Sequence, residues 1–404
     1  MLISGQTAFV DCTVAVEGPA VNRDSHELKF TWTAHPPSRP APNMPRALHN
    51  RLHLALLAAC GLAPAAAHAE PAPFMMRATL DGEPIEGQPL AWNSQQMLLL
   101  GRDGALHEFH PDDAKNAKKS APGFVPYSIS EVAGRLHFEF GRAFDISTSA
   151  HFVVVHPRGL GTPWAPRLES LFGTLANYMT VRGFRPTEPP TPLVAIVFRN
   201  ADDYHRHAAA GGSPLPAGVV GHYDPISNRV FLFDASDGTG DWGANAATMI
   251  HEAVHQAAYN IGVHRRFAEQ PRWAVEGLAM VFEARGVWAP GPSRQIADRL
   301  NYERLDYFRR TGDQRAADWL VRLVASDRSF EVDALNAYAE AWTLSFYLSE
   351  TRQQDYSAYL ARVASREAFT EYPAMERMTD FTAAFGSDFK LLAAQVQRFV
   401  EQLP

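Results

Sequence analysis

The chain has 404 residues, enough for two domains and a sizeable core. A net charge of -7 gives it no electrostatic reason to bind nucleic acid. No glycine-rich phosphate loop, heptad array or internal repeat appears, and both cysteines, Cys12 and Cys60, precede residue 70, which excludes a disulfide framework beyond that point.

Residues 1–43 carry no sustained periodicity and contain the run His35-Pro36-Pro37-Ser38-Arg39-Pro40. They read as an upstream extension or a disordered leader. Residues 44–69 read as a signal peptide. Arg46 and Arg51 make the basic start, residues 52–62 the apolar core, and Ala67-His68-Ala69 a small-residue cleavage site. The apolar core is too short to span a membrane. Leu57-Ala58-Ala59-Cys60 also resembles a lipoprotein box, so a lipid anchor at Cys60 is the alternative. The expectation is an exported protein without a membrane span, periplasmic or secreted, with an outer-membrane lipoprotein as the second choice.

Residues 70–147 read as a small antiparallel β-domain. Segments 75–80, 96–100, 105–109 and 136–140 have strand character, and Asp81-Gly82 and Asp103-Gly104 are turn signals. Residues 112–119, with three lysines and no apolar stripe, read as a surface loop or short helix. From His151 the pattern changes. Residues 152–155 and 193–198 are unbroken apolar runs, as buried strands require, and Leu168, Leu171, Phe172, Leu175 and Tyr178 between them follow helical spacing. Residues 219–233 read as two short strands around the turn Asp224-Pro225-Ile226-Ser227-Asn228.

The chemistry is concentrated next. Ile250, Val254, Ala257, Ala258 and Ile261 recur at helical spacing, and Gly262 supplies a stop. This helix carries His251-Glu252-Ala253-Val254-His255. Histidines four apart share one helix face, so both imidazoles can reach one metal ion. Glu252 lies to the side, close enough to touch a water at that ion. Pro271 opens a second helix through Trp273, Leu278, Val281 and Phe282. Glu276 sits on it in an otherwise apolar stretch, where an unpaired carboxylate would be costly. A metal is one partner that removes the cost. The competing third ligand is His264, but the spacing that would use a following histidine needs Gly at Ala258 and His at Ile261. His264 with Arg265 and Arg266 reads as a solvated loop. Three protein ligands and no nearby cysteine describe a catalytic zinc site, open at its fourth position, rather than a closed structural one. The plain alternative is a buried helix whose histidines bond to neighbours. Residues after 273 are mainly helical, and Tyr338 in Ala337-Tyr338-Ala339-Glu340-Ala341-Trp342 is the candidate donor to an oxyanion.

His251 to His255, the connection, and Pro271-Arg272-Trp273-Ala274-Val275-Glu276-Gly277-Leu278-Ala279 together resemble the gluzincin metallopeptidases, and within them the bacterial family DUF1570. The resemblance spans roughly residues 148–350. It implies Zn2+ held by His251, His255 and Glu276, Glu252 as catalytic base, and a peptide or protein substrate. It also implies a site lying under an edge strand, for which residues 219–233 have the right character. The fold expected is α+β: a zincin-like α/β layer plus a helical lobe over 148–404, preceded by the β-domain. One departure stands out. Several gluzincins place an acid four residues after the third ligand; here that position is Met280, with Glu283 three further on. The expected activity is peptide-bond hydrolysis, and the alternative is a peptidase-fold binding or scaffold protein of the cell envelope.

Overall fold

The computed structural model describes residues 12–15, 71–159, 163–211, 214–216, 218–234, 246–291 and 295–404. The signal peptide read at 44–69, Cys60 included, lies outside the described residues, as does the leader except for β1 (Cys12–Ala15). The protein is mixed α/β, with an antiparallel sheet near its N-terminus and a helical C-terminal region. Contacts divide it into two units, residues 71–127 and residues 128–404 with 12–15.

The smaller unit is a five-stranded antiparallel sheet of β2 (Met75–Leu80), β3 (Glu83–Trp92), β4 (Met97–Gly101), β5 (Leu106–Phe109) and β6 (Lys115–Ala121). The strand order is β5-β4-β3-β2-β6. Asp81 and Gly82 both adopt positive φ, 52° and 90°, the conformation a tight two-residue hairpin turn needs between β2 and β3. One face buries Met76, Ala78, Trp92, Met97, Leu99 and Phe109. The lysine-rich stretch read as a loop or short helix is mostly strand β6, with only a short 3-10 turn at Pro111–Asp113. As a sheet edge it needs no apolar stripe, and the exposed Lys115, Lys118 and Lys119 deter further strands from pairing there.

The strand expected at 136–140 is corrected. These residues end helix α1 (Ile129–Phe140), which opens on a capping box: the Ser128 hydroxyl accepts from the Glu131 N–H while the Glu131 carboxylate accepts from the Ser128 N–H. The helix buries Val132 and Leu136, one turn apart, and leaves Phe138 exposed. The apolar alternation at Leu136, Phe138 and Phe140 was therefore no guide to a sheet face.

The larger unit contains β7 (Phe144–Thr148), β8 (Phe152–Pro157), α2 (Trp164–Val181), β9 (Leu193–Phe198), α3 (Ala201–Ala210), β10 (Val219–Asp224) and β11 (Arg229–Phe233). Its sheet runs β1-β10-β11-β9-β8-β7. β8, β9 and β11 are parallel, and every residue of β8 and β9 is buried, as their unbroken apolar runs require. β10 and β11 form the expected hairpin. Its turn is held by the Asp224 carboxylate, which accepts from the Ile226 N–H at 2.9 Å and the Ser227 hydroxyl at 2.6 Å, and Asn228 takes positive φ, 60°.

Two helices follow that carry the candidate ligands, α4 (Ala246–Asn260) and α5 (Arg272–Phe282). Then come α6 (Arg285–Trp288), α7 (Tyr302–Arg310), α8 (Trp319–Ala325), α9 (Arg328–Val332), α10 (Ala334–Thr351), α11 (Gln353–Ala364), α12 (Ala374–Phe385) and α13 (Phe389–Glu401). α4 packs on β10, α2 and α5, and one core joins Phe152, Leu168, Leu193, Val254, Trp273, Trp342 and Phe381. α5 lies very close to α10. A Cβ built on Gly277 would fall 2.1 Å from the Ser345 hydroxyl and 2.6 Å from the Ala341 carbonyl oxygen, so glycine sets this approach. Among the described residues no helix is long and apolar enough to cross a membrane.

Candidate metal centre

Helix α4 lies with His251, Glu252 and His255 all turned into the protein interior, at 3%, 0% and 1% exposure. Gly262, at φ +86°, ends this segment, and the Val263 and His264 N–H groups both donate to the Ala258 carbonyl. The chain then returns through Pro271, which caps α5. The second turn of α5 delivers Glu276, 1% exposed, to the two histidines.

The three side chains converge. The Nε2 atoms of His251 and His255 are 2.9 Å apart, and Glu276 Oε2 is 3.3 Å from the first and 3.7 Å from the second. All three donor atoms lie within 4.8 Å of one another. A tetrahedral zinc with bonds of about 2.0–2.1 Å separates its ligands by roughly 3.3 Å, so the spacing fits such an ion. The donor chemistry fits as well. His251 Nδ1 is engaged by a carboxylate, so once the ring gives up its second proton the Nε2 lone pair faces Glu276 Oε2 and His255 Nε2. Acceptors do not converge in a buried site without a cation or a proton among them.

The partner of His251 Nδ1 is Glu283, with Oε1 at 2.8 Å. The Asn301 amide donates to Glu283 Oε2 at 2.6 Å and, at 3.4 Å, to the Met280 carbonyl. The orienting acid missing at Met280 is thus supplied by Glu283. Seven residues after Glu276 is two helical turns, which returns the side chain to the same face.

These contacts set the charge states. Burial alone would push the His251 ring down, but Glu276, Glu283 and Glu252 more than reverse it and raise it to about 10. His255 is pushed down by burial and by the charge on His251. Glu276 is held well below the usual carboxylate range: burial opposes this, and bonds to both histidines overcome it. Glu252 is raised to about 8 by burial, against the lowering pull of His251. Its Oε2 accepts from the Tyr223 N–H at 2.8 Å, and its buried Oε1 has no hydrogen-bond partner among the described residues. Gly221 lies just beneath this carboxylate. A Cβ there would be 3.6 Å from Glu252 Cγ and 2.5 Å from Leu232 Cδ2.

Strand β10 therefore touches Glu252 through the Tyr223 N–H and Gly221, but it is not the edge strand expected there. Its outer edge is paired with β1 in antiparallel register, Cys12 opposite Tyr223 and Val14 opposite Gly221. His264 is a second difference. It is 3% exposed rather than solvated, and burial beside His255 drives its ring down to about 3. It is not among the three converging ligands.

Tyr338 on α10 is buried, its ring edge-on to Phe330. Its hydroxyl oxygen accepts from Arg272 Nη2 at 2.9 Å, and Arg272 Nε lies 3.9 Å from Glu276 Oε1. His251, Glu252, His255 and Glu276 thus come together, and Tyr338 connects to them through Arg272. Glu283, Asn301 and Arg272 are functional residues that were not singled out by sequence. Spacing alone could have marked two of them, since Glu283 is two turns after Glu276 and Arg272 one turn before. Asn301 comes from another element and carried no such signal.

Residues 245–370 match the profile of the family described as a protein of unknown function, DUF1570. This supports the resemblance to DUF1570, though not the wider one to gluzincin metallopeptidases, and the match covers both helices that carry the candidate ligands and Tyr338. No curated protein matches the chain. One similar solved structure is a functionally unknown conserved protein from Bacillus anthracis str. Ames, at 10% identity. That match covers 83% of this chain and 70% of the other, with a TM-score of 0.31.

Proposed function

We propose that this protein is an exported zinc hydrolase that cleaves peptide bonds. The observation that carries the reading is the convergence of two imidazoles and one carboxylate within 4.8 Å, beside a fourth buried group, Glu252, that is not a ligand. That donor set is one of those found in catalytic zinc sites with three protein ligands. When bound, zinc supplies Lewis-acid chemistry, polarising a carbonyl and acidifying a water.

The chain's own groups supply the rest. Glu252 is fixed through Oε2 by the Tyr223 N–H, so Oε1 is the atom that takes the proton from the attacking water and returns it to the leaving amine. Glu283 and Asn301 hold the His251 ring in the tautomer that offers Nε2. Tyr338 donates to the oxyanion as it forms.

The test is Glu252→Gln, which keeps shape and the Tyr223 contact but removes the base. Elemental analysis should find about one zinc per chain in both proteins. Hydrolysis of a peptide library should fall by about 10²–10⁴ in the variant. Equal cleavage by the two proteins, or a purified wild type that binds no zinc, overturns the reading.

A further inference from the structure

The two oxygens of Glu276 have different neighbours. Oε2 faces both imidazole nitrogens, while Oε1 faces Arg272, one helical turn earlier on α5, at 3.9 Å. Arg272 is itself fixed on several sides. Its backbone N–H donates to Asp327 Oδ1 at 2.9 Å, its guanidinium stands 4.9 Å from the centre of the Phe330 ring, and its Nη2 donates to Tyr338 Oη at 2.9 Å. The guanidinium is a rigid planar fork with donors on more than one edge, so it can serve a carboxylate and a hydroxyl at once. A lysine ammonium on a flexible stem does not reproduce that geometry.

Two consequences follow from the placement. First, a cation beside Oε1 draws that oxygen away from the point where the three ligand atoms meet, so that Oε2 alone is presented there. Second, a hydroxyl oxygen that accepts from a cation must point its own proton elsewhere, and the pull on its lone pair makes it a better donor.

We propose that Arg272 is a positioning residue that couples the carboxylate ligand to Tyr338, holding Glu276 to one-oxygen ligation and aiming the Tyr338 O–H away from the guanidinium. The inference rests on the zinc-hydrolase reading above, and its test is chosen to separate the two. Arg272→Met and Arg272→Lys are compared with wild type after loading with cobalt, whose visible absorption reports coordination number without any turnover. Arg272→Met should weaken the visible band, as Oε1 swings in to give a five-coordinate ion, and should weaken zinc binding by about tenfold or more in a chelator competition. Arg272→Lys keeps the charge and most of the volume and should recover folding but not the wild-type spectrum.

In peptide hydrolysis, Arg272→Met should lower kcat more than it raises KM. Adding Tyr338→Phe to it should cost much less than Tyr338→Phe costs alone, because the pair acts as a unit. An unchanged cobalt spectrum and zinc affinity in both Arg272 variants overturns the proposal whatever their activity. A changed spectrum in a protein whose wild type cleaves nothing upholds Arg272 and overturns the hydrolase reading. A wild type that binds neither ion overturns both.

Discussion

Replacing Glu283 by Gln removes one charge next to His251 and should weaken zinc binding by about 10–100-fold, or roughly 1.4–2.7 kcal/mol. The size follows from burial. An exposed histidine–carboxylate pair would contribute about 0–1 kcal/mol, less than about fivefold. Here the histidine side chain is 3% exposed and the carboxylate 15%, and the contact is 2.8 Å long. The substitution also creates a conflict that no rotation resolves. Glu283 accepts at both oxygens, from His251 Nδ1 and from the Asn301 amide at 2.6 Å. A glutamine has one acceptor oxygen. Either His251 or Asn301 then meets an NH2 group, and a buried donor is left unpaired. Competition with a chromogenic chelator measures the affinity. Glu303→Gln is the control, because it removes a neighbouring negative charge without touching His251. Zinc affinity of Glu283→Gln within about twofold of wild type would refute the orienting role.

Metal binding should depend steeply on pH. With the His251 ring raised to about 10, the ion must displace a proton at neutral pH, so apparent affinity should climb about tenfold per pH unit between pH 7 and 9. Calorimetry in buffers of different ionisation enthalpy should find about one proton released per ion, and a flat profile would contradict this. The metal-free protein should behave oppositely in stability. A histidine raised from 6.5 to about 10 contributes stability that is complete below 6.5 and lost as pH rises through 10. Glu252, raised from 4.5 to about 8, acts in the same direction across that lower window. The melting temperature of the metal-free protein should therefore fall from pH 6.5 to 10 and change much less when zinc is bound. Gly277→Ala should cost about 1–3 kcal/mol in urea unfolding, since the new methyl meets both the Ser345 hydroxyl and the Ala341 carbonyl oxygen. An unaltered unfolding midpoint would mean that α5 and α10 can separate freely.

Periodic and locally punctuated features were legible in the sequence. The apolar runs 152–155 and 193–198 became buried parallel strands, Asp81-Gly82 became a hairpin turn, and the spacing of His251 and His255 put both rings on one buried face. Where apolar alternation and helical spacing overlapped, the reading failed. The capping box at Ser128 and Glu131 outweighed the alternation at 136–140. The lysines of β6 carried no buried face to read, because an edge strand needs none.

What the sequence determined by itself was the set of groups: two histidines and a glutamate at fixed offsets along two helices, since a 3.6-residue repeat decides which side chains share a face. Only the tertiary structure decided how those helices meet. Gly277 admits α10 against α5, Asn301 reaches back to Glu283, Arg272 ties Glu276 to Tyr338, and His264 is buried rather than solvated. Each of these joins separate elements or segments, and their separation in the folded chain depends on the packing of everything between them, which no local spacing encodes.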